Sequence, residues 1–401
     1  MQKAKNALGS PVVGKDFIGR KLELSQAFHL LQLGTHLRLP APRRVGKTSF
    51  THALIQMAKS HGWKTIFVNV EHQKSELGFI KVFLEALEDD KSWIEKKTGS
   101  IWAATKTLLA GLELKFPLGD DLPEMTFRWN SPQTADLRAN LEKILKNLGD
   151  CLIVVDELPW LLARIEKMPD GKERNEDLLH WLRPFRQKKE RDDDPVTRWV
   201  FCGSISFEAV TERLNLSDSI NDTYVFELGA FSLSEADECL RALSENPENR
   251  FEMSADLRQA VIDYLQWPLP YYLQVLFAKL RAIEQERNRP ATPEDLPEAV
   301  EKASEYSNLS TWFERLNEQY LPADERLTKI ILDQLCQTEN RTRNQLERLL
   351  IKNKVAVEDS KERTAFLIRA LKRDGYLLET NGLYTFRSPL LKKYWYNNRI
   401  K

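Results

Sequence analysis

An α/β fold is predicted, with a five-stranded parallel sheet, then a helical region, then a small helix-and-hairpin module. Three observations predict it. Short apolar or β-branched runs alternate with helical spacings as far as Leu228, the pattern of strand–helix crossovers. After Phe231 the strand signals stop and helical patterns follow one another. Close to the C-terminus two short apolar runs flank Asn381-Gly382, a hairpin signal because both residues tolerate positive φ.

Taken in order, residues 1–14 read as a flexible lead. Helical spacing from Phe17 to Leu33 includes the segment Phe17-Ile18-Gly19-Arg20. His36–Pro40 is a short extended stretch, Thr48–Ser60 is helical, and Lys64–Val70 is a strand by its β-branched content. Residues 75–110 read as largely helical. Leu112–Phe116 and Met125–Trp129 are two extended pieces separated by an acidic turn containing Pro and Gly, a hairpin inserted at about 111–130. Leu137–Leu148 is a helix, Cys151–Val155 a buried strand and Asn175–Lys188 a helix. Trp199–Cys202 and Tyr224–Leu228 complete the five strands. Ser234–Leu243, Ser254–Tyr264 and Tyr271–Ala282 are helices, and the charged, Pro-containing 284–300 reads as a linker or lid edge. The tail gives helices at Arg326–Cys336, Thr342–Ile351 and Glu362–Arg373, then strands Tyr376–Glu379 and Leu383–Phe386. This is the order of a winged helix, a helix-turn-helix variant.

Composition narrows the class. At ~150 residues per domain, 401 residues suggest two or three domains. A hydrophobic content of 42% supplies packed cores and excludes global disorder. The longest apolar runs, such as Cys151–Val155, fall far short of the ~20 residues a membrane span needs. Met1–Gly9 has no apolar core of a secretory signal, and Cys151, Cys202, Cys239 and Cys336 are too scattered for a disulfide scaffold. A cytoplasmic protein without a membrane partner is the expectation. The 59 basic and 59 acidic side chains balance, yet residues 321–401 hold 17 basic against 10 acidic. A basic tail on a neutral whole suits a polyanion partner or an ordinary solvated surface.

The chemistry is concentrated in two places. Ala41-Pro42-Arg43-Arg44-Val45-Gly46-Lys47-Thr48 has phosphate-loop spacing at every position but the first, where Ala replaces Gly. Such a loop turns its amides toward phosphate oxygens and feeds a helix N-terminus that favours anions. Gly46 permits close approach, Lys47 reaches the β- and γ-phosphates, and Thr48 places a hydroxyl on Mg²⁺. Cys151-Leu-Ile-Val-Val-Asp156-Glu157 is an apolar strand ending in adjacent carboxylates, at the edge where open α/β sheets bind ligands. There Asp156 holds Mg²⁺ through water and Glu157 polarises the attacking water; the alternative is that the pair caps the next helix. Ser204, after the strand Trp199–Cys202, either contacts the γ-phosphate or attacking water or serves as a helix cap.

Phe17-Ile18-Gly19-Arg20-Lys21-Leu22-Glu23-Leu24, Pro42-Arg43-Arg44-Val45-Gly46-Lys47-Thr48-Ser49 and Val154-Val155-Asp156-Glu157 resemble the archaeal-type P-loop ATPases. That group belongs to the STAND/AAA+ branch and is related to origin-recognition ATPases. Leu228–Ala236 resembles the opening of that family's helical lid, Pro270-Tyr271-Tyr272-Leu273 its lid motif, and Tyr384–Leu391 the end of its winged-helix domain. The resemblance implies an AAA+-like core over 15–230, a helical lid over 231–318 and a winged helix over 319–401. It also implies an ATP- or ADP-binding, Mg²⁺-dependent switch. Phe17, Ile18, Gly19 and Arg20 would line the adenine pocket, and Arg43 through Ser49 would hold the phosphates. Two departures stand out: Trp267-Pro268-Leu269 occupies the place of an expected lid glycine, and no sensor-2 arginine is evident. Arg183, Arg186 and Arg213 are the candidates for an arginine finger acting across a self-association interface.

In the tail, Lys361, Arg363, Arg369, Lys372 and Arg373 on the third helix, with Asn381 and Arg387 on the wing, are candidates for double-stranded DNA. Trp395, between Tyr394 and Tyr396 in the last helix, reads as packing against the core rather than as a base-stacking platform. Two functions follow. One is a Mg²⁺-dependent ATPase whose nucleotide state controls a DNA-binding tail. The other is a slow-turnover, nucleotide-locked signalling or scaffold protein that docks protein partners through the tail.

Overall fold

Six residues, Cys151–Asp156, form a strand in which every side chain is buried, and the sheet is built around it. The computed structural model describes residues 3–42, 44–88, 91–115, 128–148, 150–187, 197–203, 207–320 and 322–401. The chain divides into two compact units, Glu23–Pro40 with Leu54–Glu227, and Met1–Leu22 with Ala41–Ala53 and Leu228–Lys401.

The first unit holds the sheet. Strands β1 (His36–Pro40), β2 (Lys64–Asn69), β3 (Cys151–Asp156), β4 (Thr197–Gly203) and β5 (Thr223–Val225) lie in the order β2-β3-β4-β1-β5, and every pairing is parallel. The helices in chain order are α1 (Lys21–Gln32), α2 (Lys47–Ser60), α3 (Glu76–Glu88), α4 (Lys91–Lys115), α5 (Ala135–Lys146), α6 (Leu158–Glu166), α7 (Gly171–Leu182) and α8 (Phe207–Leu214). A sheet covered on both faces needs no polar alternation, which is why β3 is a continuous apolar run. On one face Phe79, Phe83, Trp199, Phe201 and Phe207 follow one another with ring centroids 5.8–6.4 Å apart. At ~1.5–3 kcal/mol per buried large side chain, this row is a principal source of the unit's stability. Glu76 and Arg174, both fully buried, pair at 2.8 Å.

The inserted hairpin expected at about 111–130 is not what forms at its start. Helix α4 runs through Lys115, so Leu112 belongs to the buried stripe Trp102, Thr105, Leu109, Leu112 of one long helix. Residues 116–127, with the turn and most of the second extended piece, lie outside the described residues. The expected helix Asn175–Lys188 begins earlier, at Gly171, and ends at Leu182.

The second unit contains α9 (Leu233–Ser244), α10 (Ala255–Leu265), α11 (Pro270–Arg287), α12 (Leu296–Ala303) and α13 (Tyr306–Gln319). A capping box between Ser232 and Glu235 starts α9. Of the two readings of 284–300, an extended linker is not what forms: the segment holds the end of α11, a short connection and the start of α12, whose Leu296, Ala299, Val300 and Ala303 are buried at helical spacing. The tail comprises α14 (Pro322–Gln337), β6 (Arg341–Thr342), α15 (Arg343–Lys352), α16 (Val357–Arg373), β7 (Leu377–Thr380), β8 (Leu383–Phe386) and α17 (Pro389–Trp395). Its strands form an antiparallel sheet in the order β6-β8-β7, and Asn381 and Gly382 turn the hairpin at φ 53° and 76°. Tyr394 and Trp395 are buried, and Trp395 stacks on Phe313 at 4.4 Å and donates to Asp333. Nor is the beginning of the chain a loose lead: Ala4 is buried and its N–H donates to the Ala242 carbonyl at 3.0 Å. No described helix is long and apolar enough to cross a membrane.

Candidate functional site

Within the sheet, Pro40 at the end of β1 is in register with Gly203 at the end of β4, and β4 pairs along β3. The C-terminal ends of these three strands therefore share one edge, where Asp156 ends β3. From that edge the chain runs directly into residues 41–46 and then α2.

Arg44 and Gly46 adopt left-handed conformations, φ 69° and 87°, on either side of Val45. Alternation of left-handed and ordinary residues turns successive amides to one side, the geometry of an anion-binding concavity. Gly46 allows this at no steric cost, and a Cβ there would approach the Pro270 ring at 3.7 Å. The helical ladder begins as Phe50 N–H donates to Gly46 O at 2.9 Å, so the earlier amides of α2 project from its N-terminus. Lys47 and Val45 are buried. The Ser49 hydroxyl accepts from Val12 N–H at 2.9 Å, which gives it a tethering contact beside the phosphate role predicted for it. Arg43 lies outside the described residues.

Arg20 is where the N-terminal segment meets the loop. Its guanidinium donates to Val45 O at 3.2 Å and to Gly229 O at 2.6 Å, and lies 4.8 Å over the Phe231 ring. Its N–H donates to Glu235 Oε1 at 2.6 Å. Burial opposes ionisation of Glu235, but N–H donors from Arg20 and Ser232, the Ser232 hydroxyl and the Arg20 charge outweigh it and hold the carboxyl below its ordinary range. Ile18 and Gly19 are buried beside Arg20, and Phe17 is partly buried. The lid-motif residues come to the loop as well, since the Arg44 guanidinium lies 4.0 Å over the Tyr271 ring. From the tail, Gly375 sits where a Cβ would meet Trp267 at 2.8 Å and Pro42 at 3.0 Å, and Arg387 lies 4.7 Å over the Trp267 ring. None of these loop contacts was visible in the sequence; the one signal was that Trp267 stands where the lid pattern expects a glycine nearby.

In the sheet unit, Asp156 and Glu157 are buried, 2% and 9% exposed. Asp156 is in register with Asn69 on β2. Glu157 takes the N-cap position of α6 in a left-handed conformation, φ 64°, ψ 28°, yet its side chain makes no capping hydrogen bond. Helix capping is thus not what this carboxylate does. Ser204 lies outside the described residues. Among the described residues no group of three or more His, Cys, Asp or Glu could hold a metal alone.

Two of the arginine-finger candidates are committed elsewhere. Arg186 is buried and pairs with Asp222 at 3.0 Å, and Arg213 pairs with Glu166 at 2.7 Å. Only Arg183, partly exposed with a 3.4 Å contact to Asn221, is held loosely. Of the DNA candidates, Arg363 pairs with Asp324 at 2.6 Å, Lys372 pairs with Glu379, and Arg387 covers Trp267. Lys361, Arg369 and Asn381 are exposed, and Arg373 is partly buried. Arg348, Lys352 and Lys354, on α15 and just after it, are exposed cations that the sequence pattern does not single out.

No family model matches the sequence, and no curated protein matches it. Among solved structures the chain is similar to a Walker-type ATPase of Pyrococcus abyssi, at 17% identity and a TM-score of 0.60, over 97% of this chain and 99% of that one. It is also similar to the ORC2 protein of Aeropyrum pernix, at 12% identity and 0.46, over 100% and 99%. The RuvB branch migration motor of Thermotoga maritima matches at 14% identity and 0.42, over 92% and 93%. The likeness is one of fold: an α/β architecture with a five-stranded parallel sheet and flanking helices.

Proposed function

We propose that the chain is a Mg²⁺-dependent, ATP-binding and ATP-hydrolysing switch whose nucleotide state controls a DNA-binding winged-helix tail. The observation that carries this reading is the left-handed turn at Arg44 and Gly46, which opens α2 directly after a strand that shares its sheet edge with Asp156. The Pyrococcus protein of the same fold is a Walker-type ATPase, which agrees with it. The loop amides and Lys47 bind the β- and γ-phosphates; Thr48 and Asp156 hold Mg²⁺, which would neutralise charge developing on the phosphates. Glu157 orients water for attack. Phe17 through Arg20 line the base, and α9–α12 form the lid.

A second reading, a nucleotide-locked scaffold that docks proteins, is favoured by the internal pairing of Arg363 and Lys372. Steady-state phosphate release, measured with and without duplex DNA at two salt concentrations, separates the two. The switch reading expects turnover that DNA changes, with an effect that weakens as salt rises. Negligible turnover and no DNA binding even at low salt would leave the scaffold.

A further inference from the structure

We propose that residues 4–12 are a clasp that ties helices α9 and α11 to the first turn of α2 and thereby sets how fast nucleotide leaves. The inference rests on the nucleotide-binding reading of the loop and adds its regulation.

One end of the clasp is stitched to the helical region through a polar side chain on each side. Asn249 is buried and uses its whole amide: Nδ2 donates to Ala4 O at 2.9 Å and Leu243 O at 2.7 Å, while Oδ1 accepts from Asn6 N–H at 3.0 Å. Gln274 Oε1 accepts from Ala7 N–H at 2.6 Å and from Asn6 Nδ2 at 3.2 Å, and Asn6 Nδ2 also donates to Gln274 O at 3.0 Å. Ala4 N–H donates to Ala242 O, and Lys5 pairs with Glu248 at 2.8 Å on the surface. The other end is Val12, whose N–H reaches the buried hydroxyl of Ser49, next to Lys47 and Thr48. Between the anchors Leu8, Gly9, Ser10 and Pro11 are exposed.

Chain geometry turns these anchors into a limit. The five steps from Ala7 to Val12 span at most about 17 Å when fully extended. While both ends are bonded, Ala7 and Val12 cannot separate farther than that, so wider parting of α11 from Ser49 first requires one end to detach. Arg20, bonded to both Val45 and Gly229, makes the second tie between the same parts. Together they hold the helical layer to the loop.

The experiment compares the full chain with Asn6→Ala, which removes clasp bonds without touching a bond made within the helices, and with deletion of residues 2–11. Release of a fluorescent ADP analogue is followed by stopped flow, and amide hydrogen exchange is followed in both states. Asn6→Ala loses both Nδ2 bonds to Gln274 and is expected to speed release about thirtyfold, and the deletion, which loses more bonds, by more than that. Amides of 12–20 and 269–276 are expected to exchange faster in both variants. Unchanged release in both would overturn the clasp. If the deletion variant fails to fold, Asn6→Ala alone decides, and unchanged release in it overturns the clasp. Should the full chain bind no ADP analogue, the nucleotide reading falls, and the clasp is judged by exchange, where unchanged protection would overturn it.

Discussion

Glu157 offers a test in which backbone geometry and chemistry are read from the same position. Its left-handed conformation, φ 64°, ψ 28°, costs an L-residue ~1–2 kcal/mol, while glycine adopts it freely. Glycine loses more freedom on folding, which offsets ~0.4–1 kcal/mol of that relief. Comparing Glu157→Gly with Glu157→Ala cancels the missing side chain and isolates the backbone. Glycine should come out more stable by ~0.5–1 kcal/mol, a melting difference of about 2 °C. At an ordinary helical position the sign is reversed, with glycine less stable by ~0.5–1 kcal/mol. Denaturant and thermal melts of the two variants, read beside phosphate release, make the assay. Both variants and Glu157→Gln should retain nucleotide while turnover falls ~10²-fold or more, on the magnitude for a general base. A less stable glycine variant would refute the left-handed turn. Full turnover in all three would remove Glu157 from the chemistry. The combination expected, a strained residue kept for its side chain, is how functional sites store local cost.

Two further predictions follow from packing and titration. Gly375→Ala adds a Cβ at 2.8 Å from Trp267 and 3.0 Å from Pro42 on a backbone at φ 86°, so urea melts should show a loss of ~2 kcal/mol or more; a neutral result would contradict the contact. Burial lowers the His36 pKa from 6.5 to about 4 against the opposing bond its Nε2 donates to Arg186 O, while Nδ1, accepting from Trp199 N–H, has no room for a proton. A base with a depressed folded pKa leaves stability intact above pH 6.5 and removes it as pH falls through 4, ~3 kcal/mol in all. His36→Gln should flatten that dependence in urea melts taken across the window, and parallel curves for variant and wild type would count against it.

The sheet was legible because strands buried on both faces, such as Cys151–Asp156, carry their burial in their composition. Lys47-Thr48 and Asp156-Glu157 were singled out by residue type and spacing, and the structure places the first pair at the start of α2 and the second at the end of β3. What failed to show has physical causes. Leu112 looked extended in a short window, and only the longer spacing from Trp102 reveals the helix. Prolines disguised α12, although Pro297 lies in its first turn, where a missing N–H costs nothing. The clasp is polar and is held by amide hydrogen bonds, so it has no hydrophobic signature. Arg20 was singled out with its segment, but its bonds to Val45 and Gly229 join residues that only folding brings together. Arg186, read as a candidate finger, is buried against Asp222 for the same reason.

The sharpest test of the phosphate site is titration of ATP into the full chain, with and without Mg²⁺, run on wild type, Lys47→Ala and Asp156→Ala. Wild type should bind more tightly with the metal, Lys47→Ala should not bind, and Asp156→Ala should bind without regard to Mg²⁺. Affinity unaffected by Lys47→Ala, or an undiminished Mg²⁺ effect in Asp156→Ala, would contradict the site.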